Sequence, residues 1–183
     1  LAPVLAIFLV FIRWVVILLY SAEFLAIDEM IHLAMIGIFF KAASWSIAFS
    51  LIAKGANKLF LWNEILANSY TLLFNIIGYK LAGLEGLGIS FLLAYIVYFI
   101  QVFIVTKRKY SFNFDSAFYK VAGFQISIGL LCFIIMRLLS APWTYIIGSV
   151  LIIISAIYSL KELEKRLAIK EIMLKKIHDL RNR

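Results

Sequence analysis

Charged residues and prolines are scarce in this chain. Of its 183 residues, 15% are charged and two are proline, whereas 64% are hydrophobic. Soluble domains are about half apolar and about one quarter charged. A soluble chain this apolar could not cover its surface with polar groups, so the composition excludes an ordinary soluble domain. It predicts that lipid is the solvent of most of the chain.

Cysteines, metal-ligand clusters and catalytic motifs are also nearly missing. Cys132 is the single cysteine and can form no intrachain disulfide, so we interpret it as a small packing residue. The sequence contains no HExxH zinc motif and no Gly-Lys phosphate-binding loop. His32 and His178 are isolated from each other, and we interpret each as a satisfied or solvated histidine. We therefore expect no enzyme activity, no bound metal and no cofactor.

The chain instead consists of successive apolar runs. Each is close to the roughly 20 residues that a helix needs to cross a hydrocarbon core of about 30 Å. Because backbone groups in lipid must be satisfied internally, and because the runs are too uniformly apolar for barrel strands, they predict helices. We expect an all-α membrane bundle over residues 1–160. Its predicted spans are residues 3–20, 31–53, 59–80, 86–106, 118–138 and 142–160.

The charges of the connecting segments predict the orientation. Basic segments alternate along the chain with segments that are acidic or uncharged. The basic ones are 54–58, 107–117 and 161–183, and the others are 21–30, 81–85 and 139–141. The positive-inside rule then places the basic segments and the C-terminus in the cytoplasm. Topology explains the net charge of +8, so we do not expect nucleic acid as a partner.

The two ends of the chain differ from the bundle. Residues 161–183 combine near-helical apolar spacing with many basic residues, which predicts an amphipathic cytoplasmic tail. Such a helix lies on anionic headgroups or docks on a partner protein. The chain begins at Leu1 inside an apolar run, without the features of a signal peptide. We expect it to be the trailing part of a longer protein, preceded by an even number of spans.

The third predicted span carries a polar stripe. Glu64, Asn68, Thr71 and Asn75 follow one another at helical spacing, so they lie along one face. Ionisable and polar side chains at membrane depth usually face a bundle interior or an aqueous cavity. The stripe therefore predicts the wall of a substrate cavity or a gate. The alternative is interhelical hydrogen bonding that only holds the bundle together.

Two cations are predicted at membrane depth. Arg13 lies near the middle of the first span and Lys41 near the middle of the second, with Ser44 one turn later on the same face. Guanidinium and ammonium groups both suit phosphate oxygens, so we predict that they bind an anionic substrate group. The alternatives are a structural pair with a carboxylate, or snorkelling to the membrane surface. These three residues and the polar stripe form the predicted substrate site.

Several short stretches together resemble a known transporter family. They are Arg13–Ser21 with Glu23-Phe24, Phe39–Lys41 with Ser44-Trp45, Ala53–Gly55, Asn63-Glu64 with Asn68 and Asn75, and Gly83–Ser90. In this combination they resemble bacterial polysaccharide transporters of the O-antigen translocase type, within the multidrug/oligosaccharidyl-lipid/polysaccharide exporter superfamily. The resemblance covers about residues 1–106. Small residues at 83–90 also fit close helix packing or turn chemistry, which the sequence alone does not separate.

The resemblance implies a fold and a function. Family members have two lobes of helices around a central cavity, and this chain would be the C-terminal part. They flip undecaprenyl-pyrophosphate-linked oligosaccharides, such as O-antigen units of lipopolysaccharide, across the bacterial inner membrane by alternating access. Arg13 and Lys41 would attract the pyrophosphate, and the polar stripe would line the glycan path. Expected partners are this lipid-linked oligosaccharide, the bilayer, and polysaccharide polymerase or assembly proteins.

Two alternative functions stay open at this point. The first is export of small amphiphilic compounds, as in the multidrug branch, although two cations in a cavity disfavour cationic substrates. The second is a membrane-embedded glycosyl- or acyl-transfer enzyme, or a non-transporting scaffold of a glycan-assembly complex. The missing acid/base clusters disfavour the enzyme.

Overall fold

The structure is a computed structural model that describes residues 1–167. Within that range every regular element is helical, so the predicted all-α fold is confirmed. The elements are α1 (Ala2–Leu19), a 3₁₀ helix (Ala22–Ile27), α2 (Asp28–Ala53), α3 (Asn57–Tyr110), α4 (Ser116–Leu138) and α5 (Trp143–Leu167). Five of these helices are long and apolar enough to cross a membrane.

Helix α3 doubles back on itself. Its 54 residues are interrupted at Ala82 and Gly83, and Gly83 has a φ of +57°, a conformation that glycine adopts without steric cost. We call the two arms α3a (57–81) and α3b (84–110). The Ser90 hydroxyl of α3b donates to the Phe74 carbonyl of α3a over 2.7 Å, so the arms pack side by side. The predicted loop 81–85 is thus a break of two residues, Ala82 and Gly83. Whether α3a and α3b each cross the membrane, as the predicted six spans require, is not tested by this geometry.

Small residues allow the arms of α3 to approach closely. A Cβ added at Gly86 would overlap the Gly78 carbonyl of the opposite arm. A Cβ added at Gly88 would lie 2.8 Å from the Met30 carbonyl oxygen of α2. The small residues near the start of the fourth predicted span therefore serve both expected purposes. Gly83 makes the turn, and Gly86 and Gly88 make the close packing.

Helix α2 joins two groups of helices. On one side it packs along the α3 hairpin, around a core that includes Ile47, Leu51 and Val102. On the other side it contacts α1 and α4, and α1 packs in turn on α4 and α5 around Leu9 and Cys132. Cys132 is fully buried, which confirms its predicted packing role. Among the described residues, α3 makes no comparable contact with α1, α4 or α5.

The last helix runs past the end of its predicted span. The prediction ends that span at residue 160 and begins a separate tail at residue 161, whereas α5 continues to Leu167. The remainder of the predicted amphipathic tail, residues 168–183 with His178, lies outside the described residues.

Candidate functional site

A group of hydroxyls and one carboxylate lies between the arms of α3. The Tyr98 hydroxyl of α3b donates a hydrogen bond to the Glu64 carboxylate of α3a, and Tyr98 is only 3% exposed. Tyr70 and Tyr95 both pack against the buried core to which Tyr98 belongs. The ring centroids of Tyr95 and Tyr98 are 6.4 Å apart. We call Glu64, Tyr70, Tyr95 and Tyr98 the tyrosine cluster.

One hydroxyl of the tyrosine cluster has spare hydrogen-bonding capacity. The Tyr70 hydroxyl is buried and has no hydrogen-bond partner in the described part of the chain. Most buried polar side-chain atoms in folded proteins do have a partner. Because a hydroxyl both donates and accepts, Tyr70 can bind a hydroxyl-bearing or anionic ligand group that enters between the arms.

Lys41 of α2 borders the tyrosine cluster. Its ammonium nitrogen lies 5.0 Å from the centroid of the Tyr95 ring, 5.1 Å from that of Trp45 and 5.6 Å from that of Phe91. These distances are within the range of cation–π attraction. Among the described residues Lys41 forms no ion pair with a carboxylate. Two of the predicted site residues are therefore linked through two rings, since Lys41 lies over Tyr95, Tyr95 packs on Tyr98, and Tyr98 bonds to Glu64.

The rest of the polar stripe on α3a faces outward or lies at the edge of the bundle. Asn68 is exposed, and Thr71 and Asn75 are half-buried. In the described part of the chain none of these three side chains forms an interhelical hydrogen bond. Ser44 is fully buried but donates to the Phe40 carbonyl of its own helix over 2.6 Å, so it does not extend the polar face of Lys41.

Sequence reasoning missed a second polar contact between the arms of α3, made by Asn63 and Gln101 next to the tyrosine cluster. The Gln101 amide donates to the Asn63 side-chain oxygen over 2.8 Å and to the Asn63 carbonyl over 3.2 Å. Gln125 of α4 makes a similar link to α5, where its amide nitrogen donates to the Ser159 hydroxyl over 2.8 Å. A search for lone amide side chains inside apolar runs would have found both. Each pair is fully explained as a link between helices.

A second polar region lies where the ends of α1, α2, α4 and α5 meet. A cavity of about 230 Å³ opens there, and we call it the charged cavity. Its ionisable lining residues are Arg13, Asp28, Glu29, His32, Arg137 and Tyr145. Glu29 and Arg137 form an ion pair across α2 and α4, whereas Arg13 is exposed and has no ion pair in the described part of the chain.

The two predicted anion-binding cations lie in different regions. Phe11 and Trp14 of α1 pack on Tyr145 near the start of α5, and this contact places Arg13 at the end of the bundle. Lys41 faces the α3 hairpin instead and does not line the charged cavity. The structure thus does not place both cations around one anionic group, because α1 and α3 pack on different sides of α2.

His32 is the most buried ionisable residue of the charged cavity, at 5% exposed. Its Nδ1 atom lies 2.9 Å from the Asp28 carbonyl oxygen, and its Nε2 atom lies 3.0 Å from the Leu9 carbonyl oxygen of α1. Of the two predicted alternatives, satisfied or solvated, the structure shows a buried ring with a carbonyl oxygen within hydrogen-bond distance of each nitrogen. One carboxylate oxygen of Asp28 is 3.5 Å from Nδ1 and is buried without a hydrogen-bond partner among the described residues.

Comparison with known proteins does not assign the chain to a family. No protein family, curated protein or solved structure matches the chain. Function is therefore argued from the side chains themselves. The tyrosine cluster with Lys41 can bind a ligand that carries both hydroxyls and negative charge, and the charged cavity can hold a small ion or a charged group.

Proposed function

We propose that the chain is the C-terminal part of a transporter that flips undecaprenyl-pyrophosphate-linked oligosaccharides across the bacterial inner membrane. In this proposal the chain crosses the membrane six times, and α3a and α3b each form one span. The C-terminus is cytoplasmic. The support is the succession of apolar helices, the alternation of basic and non-basic segments, and polar groups placed inside an otherwise apolar bundle.

The observation that carries the proposal is the position of Lys41 beside the tyrosine cluster. Purely structural helices in lipid do not need an ammonium group, a carboxylate and three tyrosines at one junction. The proposed substrate needs each of them. The ammonium attracts a phosphate oxygen, the Glu64 and Tyr70 oxygens bind sugar hydroxyls, and aromatic rings pack against the apolar faces of sugars.

The arrangement of the helices supports alternating access. Helix α2 carries the α3 hairpin on one side and contacts the α1, α4 and α5 group on the other. A tilt of the hairpin with α2 against the other group changes the access to Lys41, and Met35 of α2 then slides on the core around Leu9 and Cys132. Since Arg13 and Lys41 are separate, we propose that the pyrophosphate passes from one to the other rather than binding both together.

The test is complementation of a strain that lacks the full-length transporter. Lys41→Gln removes the cation beside the tyrosine cluster. We expect substrate affinity to fall by about tenfold, which is about 1.4 kcal/mol, and surface polysaccharide to fall with it. Lys54→Gln is the matched control, because its ammonium lies 4.4 Å from the Tyr110 ring centroid, away from the cluster. We expect Lys54→Gln to leave polysaccharide unchanged. Protein levels are measured for both variants.

Other outcomes of this experiment would replace the proposal. Normal polysaccharide in Lys41→Gln would contradict the role of the lysine. Normal polysaccharide in the deletion strain with a loss of drug resistance would indicate a multidrug exporter. Conversion of a lipid-linked sugar into a new covalent product by the purified protein would indicate an enzyme.

A further inference from the structure

The hydrogen bonds of His32 specify its protonation state. Both ring nitrogens face backbone carbonyl oxygens, at 2.9 Å from Asp28 and 3.0 Å from Leu9. A carbonyl oxygen only accepts hydrogen bonds, so each ring nitrogen has to donate. A neutral imidazole has one N–H, and its other nitrogen would direct a lone pair at a carbonyl lone pair. Only the imidazolium ion, with two N–H groups, makes both hydrogen bonds.

The surroundings of His32 supply a counter-charge for that cation. The buried Asp28 carboxylate oxygen, which accepts no hydrogen bond from residues 1–167, is 3.5 Å from Nδ1. The other charged groups lining the cavity are Arg13 from α1, Glu29 from α2 and Arg137 from α4, and Glu29 and Arg137 neutralise each other in their ion pair. Helix α5 contributes the phenol of Tyr145 to the lining. Asp28 is thus the carboxylate available to His32.

His32 also joins two helices. The Nε2–Leu9 hydrogen bond connects α2 to α1, at the side of α2 that faces away from the α3 hairpin. We propose that His32 is a proton-binding site that opens on the charged cavity. A proton from cavity water adds to the ring lone pair, no covalent bond of the protein breaks, and the cation formed is held by Asp28 and by both carbonyls. Release returns the proton to water and removes one of the two hydrogen bonds.

A proton site at this contact gives the proposed transporter an energy source. When His32 is protonated, its Nε2–H group joins α2 to α1 at Leu9. When the ring is neutral and keeps its proton on Nδ1, beside the Asp28 carboxylate, the bond to Leu9 is lost and α2 is freer to tilt. This coupling rests on the proposed flippase function. The proton site itself does not, because it depends only on the hydrogen bonds of His32 and on Asp28.

The chain has two histidines, so a direct spectroscopic test is feasible. The full chain is labelled with ¹⁵N-histidine and reconstituted in lipid nanodiscs, and His178→Gln leaves His32 as the single labelled ring. We expect the NMR spectrum at pH 7.5 to show two protonated ring nitrogens. A solvated histidine is mostly neutral at this pH. A neutral ring of His32 at pH 7.5 would overturn the proposal.

A pair of variants tests the counter-charge. Asp28→Asn removes the carboxylate next to His32, and we expect the ring to become neutral at pH 7.5. Glu29→Gln is the matched control on the next residue, because its carboxylate is paired with Arg137, and we expect the two protonated nitrogens to remain. An imidazolium spectrum that survives Asp28→Asn would contradict the role of Asp28.

The coupling is tested separately in vesicles that contain the full-length protein. The probe is a fluorescent polyprenyl-pyrophosphate disaccharide, and its flipping is measured with and without an imposed proton gradient. We expect a gradient to accelerate flipping severalfold in the wild type and to have no effect in His32→Gln. Equal acceleration in both would overturn the coupling. If the wild type flips no probe, the proposed function fails, and the NMR spectrum still decides the proton site.

Discussion

The tyrosine cluster and the charged cavity each contain a carboxylate bonded to a partner on another helical segment, but in different surroundings. Tyr98, the partner of Glu64, is 3% exposed, whereas the side chains of Glu29 and Arg137 are each 47% exposed. Water can replace a lost partner in the cavity and cannot do so around Tyr98. We therefore expect substitutions in the cluster to be costly and substitutions of the cavity ion pair to be mild, although the cavity has more formal charge.

Helix α2 keeps the two regions apart. Its first turns carry Asp28, Glu29 and His32 to the cavity, and Lys41 lies farther along the helix on the side of the α3 hairpin. If the two regions are independent, a substitution that separates the arms of the α3 hairpin leaves the hydrogen bonds of the charged cavity unchanged. The following predictions test the comparison, from the largest expected effect to the smallest.

The largest effect is expected for Gly86→Ala, which adds a Cβ where the Gly78 carbonyl of α3a already lies. Because the overlapping atoms are backbone atoms, we expect the arms of α3 to separate and the free energy of unfolding to fall by about 3 kcal/mol or more. Gly123→Ala is the control, since a Cβ at Gly123 meets no atom within 4 Å. That variant should be neutral or gain about 0.5–1 kcal/mol, because alanine favours a helix over glycine.

Denaturation in mixed micelles measures both glycine variants, and ¹⁵N-histidine spectra report on the cavity. The comparison also requires that the His32 spectrum is unchanged in Gly86→Ala. Equal stability of the two variants would show that the arms are not in close contact.

A smaller effect is expected for Tyr98→Phe, which removes the donor to the Glu64 carboxylate. A hydrogen bond to a charged group contributes about 1.5–3 kcal/mol, and the variant leaves the half-buried Glu64 carboxylate without this donor. The double variant Tyr98→Phe/Glu64→Leu replaces both partners by apolar groups, and we expect it to recover most of the loss. Tyr79→Phe is the control, because Tyr79 is 57% exposed.

A thermodynamic double-mutant cycle on the folded protein gives the coupling energy of Tyr98 and Glu64. A coupling near zero would mean that the carboxylate is solvated, and the contrast with the charged cavity would then be lost.

The smallest effect is expected for Arg137→Gln, which breaks the ion pair with Glu29. Exposed pairs of this kind contribute about 0.2–1 kcal/mol, and salt screens them. We expect a loss within that range at low salt and almost none at high salt, measured by the same denaturation. A loss larger than that of Tyr98→Phe would reverse the ranking of the two regions.

Much of the fold could be predicted, since helix position follows from the length of the apolar runs. The predicted spans 31–53 and 118–138 correspond closely to α2 (Asp28–Ala53) and α4 (Ser116–Leu138). The bend at Gly83 lies within the predicted loop 81–85. Polar residues inside apolar runs are costly, so Lys41 and Glu64 could be singled out without knowledge of their neighbours.

The partners of those residues could not be predicted in the same way. Tyrosine is common in apolar runs, so the sequence did not predict that Tyr70, Tyr95 and Tyr98 lie near Glu64. The predicted stripe follows one face of a helix, but only Glu64 among its members reaches across to the opposite arm. The sequence predicts a satisfied or solvated histidine at position 32, and only the two carbonyl distances show which form of the ring makes both hydrogen bonds.

For residues 1–167, the sequence alone determined the helical class, the approximate position of most helices and the polar side chains that are costly in lipid. Only the tertiary structure decided that Lys41 meets Tyr95, that Arg13 lies in the charged cavity, and that His32 bonds to Leu9. The physical reason is that lipid tails are as apolar as leucine, so hydropathy does not distinguish a helix face that contacts lipid from one that contacts another helix. The rotation and pairing of the helices, and hence the neighbours of each polar group, follow from close packing at Gly78, Gly86 and Gly88 and from the few interhelical hydrogen bonds.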